Sequence, residues 1–146
     1  MDKKPVVVFT AGVFDPLHYG HIRYLEAAKR LGDILIVGVL TDDGAAAYKD
    51  RPIMGWEARM EVVRALRCVD YVVKQPDTDP TSILEELEKH NLCPDIMVRG
   101  DDYPDIPPGT AFMLARKGRL VRLPYTKEIS STIYKEEAGR RYEGGR

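Results

Sequence analysis

The chain has 146 residues, 44% of them hydrophobic, and a formal net charge of −1. That is enough apolar chain for one domain with a proper core and little room for a second. The balanced charge supplies no global field toward nucleic acid or an anionic membrane, and no apolar run approaches the roughly 18 residues of a spanning helix. The lead Met1-Asp2-Lys3-Lys4 runs into an apolar stretch too short for a signal peptide, so the expected location is cytoplasmic. Cys68 and Cys93 stand at no metal-like spacing and are expected to be reduced and at least half-buried.

Val6 to Phe9 is a short β-branched run that reads as a buried strand. Thr10-Ala11-Gly12 follows as a tight segment, where the glycine lets backbone approach something closely. After Phe14-Asp15-Pro16, apolar residues at Ile22, Leu25, Ala28 and Leu31 recur at helical spacing, and Gly32-Asp33 supplies a stop. His18 and His21 fall in the opening turn of that helix, three residues apart and on one side. The helix start offers unpaired N–H groups and the positive end of a dipole. Two imidazoles there suit phosphate oxygens that gain charge as a bond breaks. Helix capping is the bland alternative. Zinc is another, but the HxGH spacing lacks the acidic partner of HExxH and a third ligand.

Ile34 to Leu40 is a second continuous apolar run. Strand, helix and strand so close together make a βαβ unit with parallel pairing and a right-handed crossover. Gly38 within the run marks close packing or ligand approach. Thr41 to Ile53 is polar, interrupted by Gly44 and Pro52, and reads as a loop carrying Lys49 and Arg51. It follows the carboxyl end of a parallel strand, where open α/β sheets bind ligands. Such a lysine can close over a triphosphate as a point charge.

Trp56 to Cys68 reads as an amphipathic helix bearing Arg59 and Arg67, whose ordinary role is a snorkelling surface residue. Val69 to Lys74 is the third strand, with Asp70 placed to organise a neighbouring loop, and Thr81 to Asn91 is the next helix. Asp95 to Val98 is a fourth strand ending in Arg99-Gly100-Asp101-Asp102. Those carboxylates could serve Mg²⁺ through water or a ribose hydroxyl, or cap the next helix. Gly109 to Lys117 reads as a helix with Gly118 at its C′ position, and Leu120 to Leu123 as the fifth strand. Ser130, Ser131 and Thr132 open the last helix, either as caps or as a second anion cradle. Gly139 to Arg146 reads as a frayed tail. The expected fold is a Rossmann-like α/β doubly wound parallel sheet of about five strands with helices on both faces.

Gly12-Val13-Phe14-Asp15-Pro16-Leu17-His18-Tyr19-Gly20-His21 resembles the signature of the HxGH nucleotidyltransferase superfamily. It is similar to small cytidylyltransferases such as glycerol-3-phosphate cytidylyltransferase, and to the nucleotidyltransferase domain of ADP-heptose synthases. Later stretches match in order: Arg51-Pro52 with Glu57-Ala58-Arg59, Arg67 to Asp70, Arg99 to Asp102, and Ile129 to Thr132.

The resemblance implies attack of a substrate phosphate on the α-phosphate of a nucleoside triphosphate, with release of pyrophosphate. It assigns His18, His21 and Lys49 to catalysis. It assigns Thr10, Gly12, Phe14, Asp15, Gly20, Arg99, Gly100, Asp101, Ile129, Ser130, Ser131 and Thr132 to the nucleotide, and Asp42, Arg59, Arg67 and Lys127 to the acceptor. Mg²⁺ is expected to arrive on the triphosphate, with no dedicated protein ligands, and a homodimer is implied.

Gly100-Asp101-Asp102 and Ile129 to Thr132 look more like cytidylyltransferases, which favours CTP and a glycerol-3-phosphate-like phosphorylated alcohol or polyol. Arg51-Pro52, Asp79-Pro80-Thr81 and the segment from Gly109 to Leu123 are similar to ADP-heptose synthase domains, which use ATP and a sugar phosphate. A coenzyme precursor is another acceptor for an ATP enzyme. One position departs: glycerol-3-phosphate cytidylyltransferases carry an arginine before the threonine of their final loop, where this chain has Tyr125, with Lys127 close by. The alternative of another class is a non-catalytic nucleotide-binding module.

Overall fold

The computed structural model describes residues 3–101, 106–124 and 130–144. The chain alternates strand and helix: β1 Val7–Gly12, α1 Tyr19–Lys29, β2 Ile34–Leu40, α2 Asp42–Ala46, α3 Trp56–Arg64, β3 Tyr71–Gln75, α4 Thr81–Lys89, β4 Ile96–Gly100, α5 Thr110–Ala115, β5 Arg119–Leu123 and α6 Ser131–Gly144. The five strands form one parallel sheet in the order β3-β2-β1-β4-β5. The connections run outward from β1 to β2 and β3, then cross back to β4 and β5. The β1–β4 boundary is therefore the topological switch point.

Both faces of the sheet are covered, as a parallel sheet requires. Successive β2 residues point to opposite faces. Leu35, Val37 and Val39 join Leu25 and Ala28 of α1 and Val63 of α3 in one core. Ile36 joins Phe9, Met97, Leu84 and Leu87 of α4, and Phe112 and Met113 of α5 in the other. The doubly wound five-stranded expectation holds.

At the amino ends of the strands, aspartates take up backbone N–H groups: Asp33 accepts from Val6, Asp95 from Val7, and Asp70 from Leu35, at 2.8–2.9 Å. Asp70 also pairs with Lys29 at 2.6 Å, the organising role read from sequence. This end of the sheet is stitched shut. The carboxyl ends are left for chemistry.

Five local readings change. Thr10-Ala11-Gly12 is not a tight segment after the strand but the second half of β1, paired in register with Val37, Gly38 and Val39. The loop from Thr41 contains the short helix α2, because Thr41 Oγ1 accepts from Gly44 N at 3.0 Å and caps it. Helix α3 stops at Arg64 rather than running to Cys68. After α5 the left-handed position is Lys117, with φ 59°, not Gly118. Lys117 N–H reaches Leu114 O and Gly118 N–H reaches Met113 O, the two bonds of a Schellman end, so glycine is one place further on. Helix α6 continues to Gly144 through the supposed tail, with Glu137 in ion pairs with Arg140 and Arg141 one turn further on. Cys68 and Cys93 are free and half-buried, as expected.

Candidate active site

A cleft of about 430 Å³ opens across the carboxyl ends of β1, β2, β3 and β4. Gly12, Phe14, His21, Lys49, Arg99, Gly100 and Ser131 line it, all of them candidates read from the sequence. The turn leaving β1 builds its floor. Phe14 takes φ 57°, a left-handed conformation that folds its ring back over Gly12. A Cβ at Gly12 would sit 2.8 Å from that ring, so glycine is required there. The same ring meets His21 edge-on, with centroids 5.2 Å apart. Gly12 thus supports His21 through Phe14.

The two histidines cap their own helix. His18 is the N-cap of α1, and its Nδ1 accepts from Gly20 N at 3.1 Å. His21 Nδ1 reaches back to accept from His18 N at 3.2 Å, and the rings stack with centroids 3.8 Å apart. A ring nitrogen that accepts cannot also carry the proton. Both neutral rings therefore hold it on Nε2, as a donor turned away from the helix backbone. Burial lowers the pKa of both. For His21, burial first, then the positive charges at His18 and Lys49, bring it down to about 3. At neutral pH the pair is uncharged and donates. The capping reading therefore holds, and it leaves Nε2 of each ring as a donor that the cap does not use.

Two lysines flank the pair. Lys49 lines the cleft, and its ammonium is pulled below the ordinary lysine value by desolvation and by the like charge of Lys135. Lys135, on α6, forms an ion pair with Asp15 at 2.9 Å. The Asp15 carboxylate is buried and also accepts from Ile53 N and Met54 N at 2.7 and 2.9 Å. Burial alone would raise its pKa, but these bonds and the lysine outweigh that and hold it low. Asp15 lines the cleft and also ties three distant segments together.

Ser131 Oγ donates to Pro16 O at 2.9 Å, joining the start of α6 to the turn before α1. Ser130 Oγ accepts from Ile133 N at 3.1 Å as the cap of α6, and Thr132 lines a smaller polar recess with Lys49 and Lys135. Tyr134, a turn further along α6, backs His18 at 5.6 Å between ring centroids. The two ends of the chain converge on one cleft.

Other candidates stand elsewhere. Thr10 is fully buried inside β1, its hydroxyl donating to Val98 O at 2.9 Å and meeting the hydroxyl of Tyr24 at the same distance. It reaches the cleft only through Tyr24, which lines it. Gly20 is buried in the first turn of α1, where it donates to His18. Arg59 is fully buried, donating to Met54 O, Val13 O and Leu40 O at 2.8–2.9 Å and pairing with Asp42 at 2.6 Å. It is a strut that braces the loop, with Asp42 as its counter-ion, and neither side chain lines the cleft. Arg67 is exposed in the turn before β3, at the opposite end of the sheet. Asp101 is exposed just past β4, its N–H donating to Leu123 O. Ile129 and Lys127, with Asp102 and Tyr125, lie outside the described residues.

Sequence reasoning missed Gln75, Thr78 and Tyr48, which line the cleft beyond Lys49, and Lys135, which lines the smaller recess beside it. Lys135 sits three residues past Thr132, one turn along the helix that the hydroxyl run opens, and that spacing was a readable signal.

Comparison with known proteins places the chain in a family. The family model for cytidylyltransferase-like domains matches residues 9–137. A D-beta-D-heptose 1-phosphate adenylyltransferase of Bordetella bronchiseptica is 39% identical over 130 residues, covering 86% of this chain and 77% of that protein. The bifunctional protein HldE of Syntrophotalea carbinolica is 37% identical over 142 residues. The match takes in 95% of this chain but only 28% of that protein, so the chain spans about a quarter of the bifunctional relatives. The crystal structure of a lipopolysaccharide core biosynthesis protein from Thermoplasma volcanium superposes with a TM-score of 0.65 and 28% identity, over 82% of this chain and 97% of that one.

Proposed function

The chain belongs to the cytidylyltransferase-like family of nucleotidyltransferases, and on that premise we propose that it transfers AMP from ATP to a sugar phosphate, releasing pyrophosphate. The observation that carries the transfer chemistry is the stacked pair of neutral histidines whose Nδ1 atoms are both engaged by backbone. The choice of ATP over CTP is supported by the Bordetella adenylyltransferase, which shares most of its length with this chain. That likeness outweighs the CTP preference drawn from Gly100-Asp101-Asp102 and Ile129 to Thr132, and it favours a sugar phosphate over a small phospho-alcohol.

An oxygen of the acceptor phosphate attacks the α-phosphorus. The new P–O bond forms as the bond to the bridging α,β-oxygen breaks, and pyrophosphate departs with the electron pair. The acceptor phosphate is already ionised near neutral pH, so no base is needed. Positioning and charge stabilisation do the rest. His18 and His21 donate through Nε2–H to the phosphate oxygens, Ser131 and the start of α6 receive the leaving pyrophosphate, and the Lys49 ammonium offsets its charge.

Mg²⁺ would supply further charge neutralisation on the triphosphate itself. Among the described residues no three His, Cys, Asp or Glu side chains gather into a metal site. The described residues also contain no helix long and apolar enough to cross a membrane.

The test is pyrophosphate release with Mg²⁺ from ATP and from CTP, each with sugar 1-phosphates and with glycerol 3-phosphate. Turnover with ATP and a sugar phosphate is expected. A stronger rate with CTP and glycerol 3-phosphate would reverse the assignment. Nucleotide binding with silence across the panel would make the chain a binding module.

A further inference from the structure

The cleft has two ends. At the β1–β4 switch point stand Gly12, Arg99, Gly100 and Ser131; over the carboxyl ends of β2 and β3 stand Leu40, Tyr48, Gln75 and Thr78. With the histidines and Ser131 on the phosphates, the nucleotide takes the switch-point end. The β2–β3 end is left for the acceptor.

Gln75 closes β3, paired in register with Leu40, and its side chain is fully buried while lining the cleft. Its amide orientation is determined by its neighbours. Nε2 donates to Asp77 O at 2.9 Å, and a carbonyl only accepts, so the other amide atom is the oxygen. Among the described residues Oε1 has no hydrogen-bond partner. A Cβ at Gly38 on the adjacent strand would lie 2.5 Å from Oε1. Glycine in the middle of a buried strand is otherwise a poor choice, and here it makes room for that oxygen. The large majority of buried side-chain polar atoms in native proteins are hydrogen-bonded, so this oxygen calls for a donor, and Gln75 lines the cleft from which one could come.

We infer that Gln75 Oε1 accepts a hydrogen bond from a hydroxyl of the acceptor's sugar, which makes Gln75 the residue that selects the acceptor. The inference rests on the proposed transfer to a sugar phosphate. An acceptor-only oxygen takes a donor, which an ionised phosphate cannot be and a sugar hydroxyl is. An amide held on its other side by Asp77 cannot rotate to accommodate a substrate lacking that hydroxyl. A site built this way discriminates strongly against the deoxy compound, because its own buried group is left unpaired.

The experiment measures steady-state pyrophosphate release with ATP, the best sugar phosphate of the panel and its monodeoxy analogues, for the natural protein and Gln75→Leu. One analogue should lose about 10- to 100-fold in kcat/KM with the natural protein. Gln75→Leu should raise KM for the parent sugar phosphate by a like factor, leave KM for ATP unchanged, and no longer distinguish parent from analogue. Equal deoxy penalties in both proteins overturn the inference. So does the absence of any penalty in the natural protein, which would leave an ordered water as the partner of Oε1. Should Gln75→Leu fail to fold, Gly38→Ala, which drives the amide from its position, takes its place beside the same deoxy series. An active natural protein with no deoxy effect sinks this inference alone. A natural protein silent with ATP and every sugar phosphate sinks the functional reading and the inference together.

Discussion

Acidification should unfold this protein through His21 before its carboxylates titrate. The folded ring accepts from His18 N and is held at about 3, whereas an unfolded histidine titrates near 6.5. Below about pH 6.5 the unfolded chain binds a proton that the folded chain refuses. Stability therefore rises with pH between about 3 and 6.5, and falls as the pH is lowered through that window. At 1.36 kcal/mol per unit, the loss on reaching pH 5 is about 2 kcal/mol. The lowered carboxyls of Asp15, Asp70 and Asp79 stabilise above the ordinary aspartate value, near 3.9, and stop doing so only below it, under the span from pH 7 to pH 5. His18, also lowered by burial, acts in the same direction as His21, so the measurement needs a comparison protein. His21→Asn is suitable, because its Oδ1 can still accept from His18 N while nothing titrates. Urea unfolding at pH 7, 6 and 5 should show the natural protein losing about 2 kcal/mol more than the variant. Parallel curves would mean that the folded ring protonates normally. That outcome would refute the bond to His18 and, with it, the assignment of Nε2–H as the donor to phosphate.

Removing His18 as His18→Ala should lower kcat/KM for ATP by about 10²- to 10³-fold, the usual cost of one donor to a developing charge, and a stopped pyrophosphate assay reads it. Arg59→Met strands three carbonyls and Asp42, so it should cost at least about 3 kcal/mol in urea unfolding. A merely raised KM with unchanged stability would restore Arg59 to the substrate. Asp15→Asn keeps one acceptor for Ile53 or Met54 but loses the charge facing Lys135. Its expected cost is about 1–3 kcal/mol, read as a shift of the urea midpoint.

The legible part of this molecule is the part whose causes are local. The apolar runs of β1 and β2 and the His-x-Gly-His helix start need only neighbouring residues, and a phosphate cradle is backbone geometry at a helix start. The errors have one origin, which is contact between segments far apart in sequence. The resemblance assigns Thr10 to the nucleotide, and the sequence could not correct it, because β1, the central strand, is buried on both faces and carries no alternation to say which way each side chain points. The resemblance assigns Arg59 to the acceptor, but its hydrogen-bond acceptors come from Val13, Leu40, Asp42 and Met54, which no local pattern links. The final helix was hidden by a Gly- and Arg-rich composition whose charges are in fact paired along its turns. Gln75 was hidden most completely. After Lys74 it looks like the polar end of an edge strand, and its meaning depends on Gly38 in the neighbouring strand and on the Asp77 carbonyl turning back over it. The same asymmetry divides the function. Phosphate handling requires one helix start and a lysine, so it can be read from a motif, whereas acceptor choice is made where β2 and β3 end side by side. A variant that changes the acceptor should therefore arise at Gln75 or Gly38, with the histidine motif left untouched.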